Sequence, residues 1–179
     1  VVERPASVVK ELAENAIDAG AGSITIELTS SKDAITKIRV SDDGCGMSPA
    51  DARLAFTPHA TSKISSIDDL HRIRTLGFRG EALATIAAVT RTTLTTKTRG
   101  SGAVPGIRIV IEGGVIREER STGAPDGTSV LVEDLFFNTP ARKKFQKSRN
   151  TELVHIHDIL EGICFSHPGI AFHLFYNGT

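Results

Sequence analysis

Glu11, Asn15 and Asp18 have the types and the spacing to do chemistry on water and metal. They stand at i, i+4 and i+7, which on a helix places them within about 60° of arc. A carboxylate can orient or deprotonate a water. An amide oxygen is a hard ligand suited to Mg²⁺, an ion usually held by few protein ligands together with substrate phosphates. The solvated face of an amphipathic helix has the same composition, so residue type alone leaves both readings open.

A second group lies in VSDDGCGM, Val40 to Met47. On a strand, Asp42 shares parity with Ile38 and Val40 and points to their buried side. A carboxylate aimed inward needs a partner, and the exocyclic amine of adenine is a suitable donor. Gly44 and Gly46 would let a flat base slide against bare backbone. The alternative is a turn aspartate beside turn glycines.

Hydroxyls and cations recur further on. Thr61 and Ser62 precede Lys63, and GFRG, from Gly77 through Phe78 and Arg79 to Gly80, runs into a predicted helix start. Free backbone amides and the helix dipole favour phosphate oxygens at such a place, although Glu81 in the first turn would complement the dipole by itself. Thr128, after Gly127, could join Asp42 at a base or pair across strands. Arg142, Lys143, Lys144, Lys147 and Arg149 fall within eight residues. They form either a weak phosphate-binding patch or a solvated basic helix.

Other chemistries are excluded. Neither GxxxxGK[ST] nor GxGxxG occurs in the 179 residues, which removes the usual P-loop and dinucleotide folds. His155 and His157 are two apart on a predicted helix and cannot share one ion. Cys164 and His167 lack a second ligand pair. The 21 Lys and Arg cancel the 21 Asp and Glu, unlike a small basic nucleic-acid module. Two cysteines make no disulfide framework and suit a reducing compartment. The N-terminus carries charges where a signal peptide would be apolar, and no run of about eighteen apolar residues occurs. We therefore expect a soluble protein with no membrane partner, cytoplasmic or, in a eukaryote, nuclear.

The elements that must position these residues follow from periodicity. Pro5, then Val8, Leu12, Ala16 and Ile17, then Gly20 predict a helix from Pro5 to Ala19. From Ser23 the period becomes two and predicts a hairpin holding Ile24, Ile26 and Leu28 against Ile38 and Val40. Ser48, Pro49 and Asp51 cap a short helix through about Phe56. Thr57 to Leu76 reads as a long functional connection, a lid that phosphate contacts would order. Beyond it we expect a helix from Glu81 to Val89, strands at Thr92–Thr98, Ile107–Glu112, Val115–Glu119 and Ser129–Glu133, and a short basic helix after Pro140. Leu153, Ile156, Leu160 and Ile163 mark another helix, and Ile170 to Tyr176 a last strand. Asn177–Gly178 is a strong hairpin signal, so we expect the 179 residues to be one domain within a longer chain.

The order of these motifs is that of a known family. ERPASVVKELAENAIDAGA, DGCGM, HATSKI, LGFRGEAL and LFFNTPARKKF closely resemble the N-terminal ATPase domain of MutL-type mismatch-repair proteins, within the superfamily of DNA gyrase, Hsp90 and histidine kinases. The resemblance covers essentially the whole chain. It implies an α/β two-layer sandwich with a mixed β-sheet and helices on one face, the Bergerat-type ATP-binding fold. Its cofactors would be ATP and Mg²⁺, and its partners a MutS-type mismatch recognition protein, DNA bound weakly and without sequence preference, and a second MutL subunit. Carried over by position, Glu11 matches the general base, Asn15 the Mg²⁺ ligand, and Asp42, helped by Thr128, the adenine reader. Gly46, Thr61, Ser62 and the Gly77–Gly80 turn with Arg79 match lid and phosphate positions. Asp43 stands where the family commonly has Asn, which adds a negative charge beside the adenine position, and Pro58 replaces a residue that is often basic. The family's γ-phosphate lysine comes from a second, transducer domain beyond this sequence. An alternative expectation is a nucleotide-gated binding module with no catalysis of its own.

Overall fold

The computed structural model describes residues 2–57 and 82–178. The predicted first helix is α1, Pro5–Asp18, which buries Val8, Val9, Leu12, Ala13 and Ala16. Gly20, at φ +70°, turns the chain out of it. There the Gly20 and Ala21 amides donate to the carbonyls of Ile17 and Ala16, the pairing of a glycine-terminated helix end. The next helix is α2, Pro49–Leu54; the Ser48 hydroxyl accepts from the Asp51 amide and donates to its carboxylate. Ser48→Ala should lower stability by about 1 kcal/mol, read as a shift in the urea midpoint at constant slope. The other helices among the described residues are α3, Ala82–Ala88, α4, Pro140–Lys144, and α5, Arg149–Ser166.

Seven strands form one mixed sheet: β1, Ser23–Ser30, β2, Ile35–Asp42, β3, Arg91–Lys97, β4, Gly106–Glu112, β5, Val115–Thr122, β6, Gly127–Glu133, and β7, Ala171–Tyr176. Their order is β5-β4-β3-β6-β2-β1-β7, antiparallel throughout except for β7, which lies parallel to β1. Alternation places Ile24, Ile26, Ile38, Val40, Leu94, Ile109, Ile111, Val130 and Val132 on one face, buried against the helix layer. Each such side chain stabilises the fold by roughly 2 kcal/mol. Edge strand β5 is exposed almost throughout and carries Arg117, Glu118, Glu119 and Arg120, charges that discourage pairing with another chain.

The helix layer is tied together by a contact spanning most of the sequence. Glu152 of α5 is buried, and its carboxylate accepts from Arg4 at 2.8 Å and from the Ala6 amide at 3.4 Å. This fixes the start of α1 against α5. Asn177 and Gly178 both have positive φ, 51° and 84°, as their hairpin signal predicts.

Candidate functional site

β2 and β6 bring two of the expected residues together, for their register sets Asp42 directly opposite Thr128. Gly127 makes that approach possible. Its φ is +111°, and a Cβ there would stand 2.1 Å from the Asp42 carbonyl oxygen. Asp42 is half-buried at the end of the hydrophobic row it was predicted to continue. One carboxylate oxygen accepts from the Gly44 amide at 2.8 Å. Burial pushes the Asp42 carboxyl above the usual carboxylate range, and the Asp43 charge adds to it. The Gly44 and Thr128 amides and Arg99 pull the other way.

The loop after Asp42 is held at several points. Cys45 donates its amide to Ala19 O at 2.8 Å, Arg99 donates to Cys45 O at 2.9 Å, and Met47 donates to the Thr96 hydroxyl at 3.0 Å. Gly46, at φ +66°, passes so near β3 that a Cβ would stand 1.9 Å from Lys97 O. The need for glycine here therefore comes first from packing of protein on protein; a Cβ at Gly44 would likewise meet Asp42 and Ala19. Gly46 lines the cleft beside this loop, whereas Asp43 is not among the lining residues. Its carboxylate accepts from the Gly22 and Ser23 amides at 2.7 and 2.9 Å, which fastens the turn after α1 to this loop. The Ser23 amide is the main reason its carboxyl is held below the ordinary range.

Between α1 and the sheet lies a cleft of about 320 Å³. Leu12, Ala16, Val40, Met47, Leu83 and Val130 give it apolar walls, and Asn15, Asp18, Asp42 and Thr128 supply polar groups. That is the usual make-up of a small-molecule site, apolar surface with a few fixed polar contacts. Of the α1 stripe, Asn15 and Asp18 line the cleft, whereas Glu11 stands half-buried one turn away, outside its lining. Thr61, Ser62 and Gly77–Gly80, with Phe78 and Arg79, lie outside the described residues, as does the expected lid apart from Thr57.

Sequence reading missed Thr96, a buried residue whose hydroxyl meets Met47, Gly127 and Thr128. Its signal was parity alone, since Thr92, Leu94 and Thr96 all face inward. A larger hollow, about 420 Å³, is lined by Arg39, Ser41, Arg108 and Ser129. Its arginines already meet Glu27 and Glu118, at 3.6 and 3.1 Å, and its two serines bond each other at 2.8 Å. Its polarity is largely satisfied within the protein. His167 Nδ1 lies 3.0 Å from Ile163 O, and the described residues contain no cluster of three or more His, Cys, Asp or Glu able to hold a metal. No helix among them is long and apolar enough to cross a membrane.

The family model for histidine kinase-, DNA gyrase B- and HSP90-like ATPases matches residues 3–111. The chain belongs to that family, and within it to the MutL-type N-terminal ATPase domains. It is 60% identical over 178 residues to the DNA mismatch repair protein MutL of Methanoculleus marisnigri, covering 99% of this chain and 30% of that protein. With MutL of Thermoanaerobacter pseudethanolicus it shares 55% identity over 172 residues, covering 96% of this chain and 27% of the relative. The chain thus spans about 30% of the length of the curated relatives it matches. Among solved structures it resembles the Aquifex aeolicus MutL ATPase domain complexed with ADP. The TM-score is 0.79 at 32% identity, covering 99% of this chain and 62% of that one.

Proposed function

We propose that this chain binds ATP in the cleft between α1 and the β2–β6 pair and hydrolyses it slowly. In the parent protein that cycle would couple nucleotide state to dimerisation and to contact with a MutS-type protein and DNA. The observation that carries the reading is the pairing of Asp42 with Thr128 at an apolar cleft. Asp42 is an acceptor whose burial calls for a donor, and the adenine amine supplies one; guanine would oppose its carbonyl to the carboxylate. The ADP complex of the Aquifex aeolicus relative supports the same class of ligand. Titration calorimetry with ADP and GDP in the presence of Mg²⁺ tests it, and equal affinities overturn the assignment.

Asn15 lines the cleft, and among the described residues no hydrogen bond occupies its amide. A single amide oxygen without a carboxylate cluster fits an ion that arrives with phosphates. Asn15 would hold Mg²⁺, which when bound neutralises phosphate charge, and Glu11 would orient and deprotonate the attacking water. Gly46, with Thr61, Ser62 and Gly77–Gly80 beyond the described residues, would face the phosphates. The position of Glu11 outside the cleft lining favours a second reading, a nucleotide-gated binding module whose catalysis requires other parts of the parent. A single-turnover assay on this chain and on the full-length protein separates the two.

For DNA, the basic cluster supports a phosphate-contacting surface. Arg142, Lys143 and Lys144 on α4, and Lys147 after it, are exposed, while Arg149 is half-buried at the start of α5. So few cations release few counterions, so affinity should be weak, independent of sequence and nearly lost at physiological salt. Replacing Lys143, Lys144 and Lys147 with Glu should abolish DNA retention at low salt and leave ADP affinity unchanged. Retention indifferent to the triple substitution would move the DNA surface elsewhere.

A further inference from the structure

Thr96 sits at the junction of β3, β6 and the Gly44–Met47 loop, and its one hydroxyl proton has an assigned destination. The oxygen lies 3.0 Å from Gly127 O, a carbonyl that can only accept, so the Thr96 proton goes there. The Met47 amide donates to the same oxygen at 3.0 Å. Thr128 Oγ1 stands 3.0 Å away. With the Thr96 proton spent on Gly127, this last bond forms only if Thr128 is the donor. A hydroxyl accepts at two lone pairs and donates once, so Met47 and Thr128 fill both lone pairs of Thr96 and Gly127 takes its proton. Thr96 itself is 1% exposed, which keeps water from competing at its oxygen.

The consequence reaches the cleft that Thr128 lines. Its proton is turned away toward Thr96, so what it presents beside Asp42 is lone pairs. We propose that Thr96 is a specificity-determining positioning residue. By taking the Thr128 proton it makes the Asp42–Thr128 pair a double acceptor, which selects a purine bearing an amino group at position 6. This rests on the adenine reading above and deepens it. An amine has two N–H bonds to give, directly or through a shared water, whereas a purine without one leaves both acceptors unmet.

The test compares affinities for ADP and for the diphosphate of purine riboside, which lacks only the 6-amino group. Both are measured by calorimetry with Mg²⁺ on the chain described here. The wild-type protein should prefer ADP. Thr96→Val removes the acceptor, frees the Thr128 hydroxyl to turn its proton into the cleft, and should reduce that preference by about five- to tenfold. Thr96→Ser should restore it, a rescue that a merely space-filling role does not predict. Thr128→Val leaves the Thr96 bonds to Met47 and Gly127 in place and should lower the preference similarly, which covers the case in which Thr96→Val fails to fold. Wild-type protein that binds ADP while Thr128→Val or Thr96→Val keeps the full preference overturns the proposal alone. Wild-type protein that binds neither diphosphate, or both equally, overturns the adenine reading itself.

Discussion

Replacing Glu11 with alanine in the full-length protein is expected to leave ATP binding within about twofold of wild type and to lower turnover by roughly 10²- to 10⁴-fold. The two effects part because of where the side chain stands. In the proposed reading nucleotide affinity comes from the cleft walls, Asp42 and Thr128, and Glu11 is not among the residues that line that cleft. It lies one helical turn from Asn15 on the same stripe of α1, half-buried. In the proposed role it would act on a water at the terminal phosphate and not on the base. Removing it costs only what it contributes in the transition state, which lowers kcat and leaves ground-state binding intact. Asn15→Ala, by contrast, should weaken the Mg²⁺-dependent part of binding. Filter binding of a non-hydrolysable analogue together with single-turnover hydrolysis gives both quantities. Unchanged hydrolysis in Glu11→Ala would return Glu11 to an ordinary solvated helix position.

What the sequence made legible was local, and what it hid was long-range. The start of α1 at Pro5, its end at Gly20 and the Ser48 cap depend on neighbours within a few residues, and all were readable from residue type. Asp42 was readable too, because a strand's parity carries through its last residue. Thr96 was not, since its partners Met47 and Thr128 are brought to it only by the β3–β6 pairing and the loop crossing beside it. Nor was the Arg4–Glu152 pair, 148 residues apart, in which a helix face that looks apolar by its leucines and isoleucines also buries a carboxylate. Parallel pairing of β7 with β1 likewise has no signature in a strand's own alternation. The family motifs bridged part of this gap. They named Asp42 and Thr128 together, although nothing in the spacing of residues 42 and 128 says that they meet. The meaning of Asp43 and of the loop glycines changed most. Motif reading set them beside a ligand; in the structure Asp43 fastens the loop to the turn after α1, and Gly46 both lines the cleft and passes hard against β3.

Asp42→Asn should weaken ADP binding by roughly ten- to a hundredfold, the loss of a charge-assisted hydrogen bond with an amide N–H placed in the way of the amine. The same residue should make binding pH-dependent, and the sign follows from its environment. Burial raises the Asp42 carboxyl above its ordinary value, so the free protein keeps this proton to a higher pH than an exposed aspartate does. For folding, a raised carboxyl stabilises fully below the ordinary aspartate value, and that contribution is lost as pH rises through the raised one. For ligand binding the direction reverses. An amine donor favours the ionised carboxylate, so binding expels the proton, and affinity should fall as pH drops through the raised value. Asp43 titrates in a separate window: its carboxyl is held low by the Ser23 and Gly22 amides, so its stabilising effect persists above the ordinary aspartate value and fails only as pH falls through the lowered one. Between these windows the loop stays fastened while Asp42 loses its charge. Calorimetry in buffers of different ionisation enthalpy should therefore detect proton release on ADP binding by the wild type and none by Asp42→Asn. A wild-type affinity that is flat across the acid range, with no proton released, would show that the carboxylate does not meet the base.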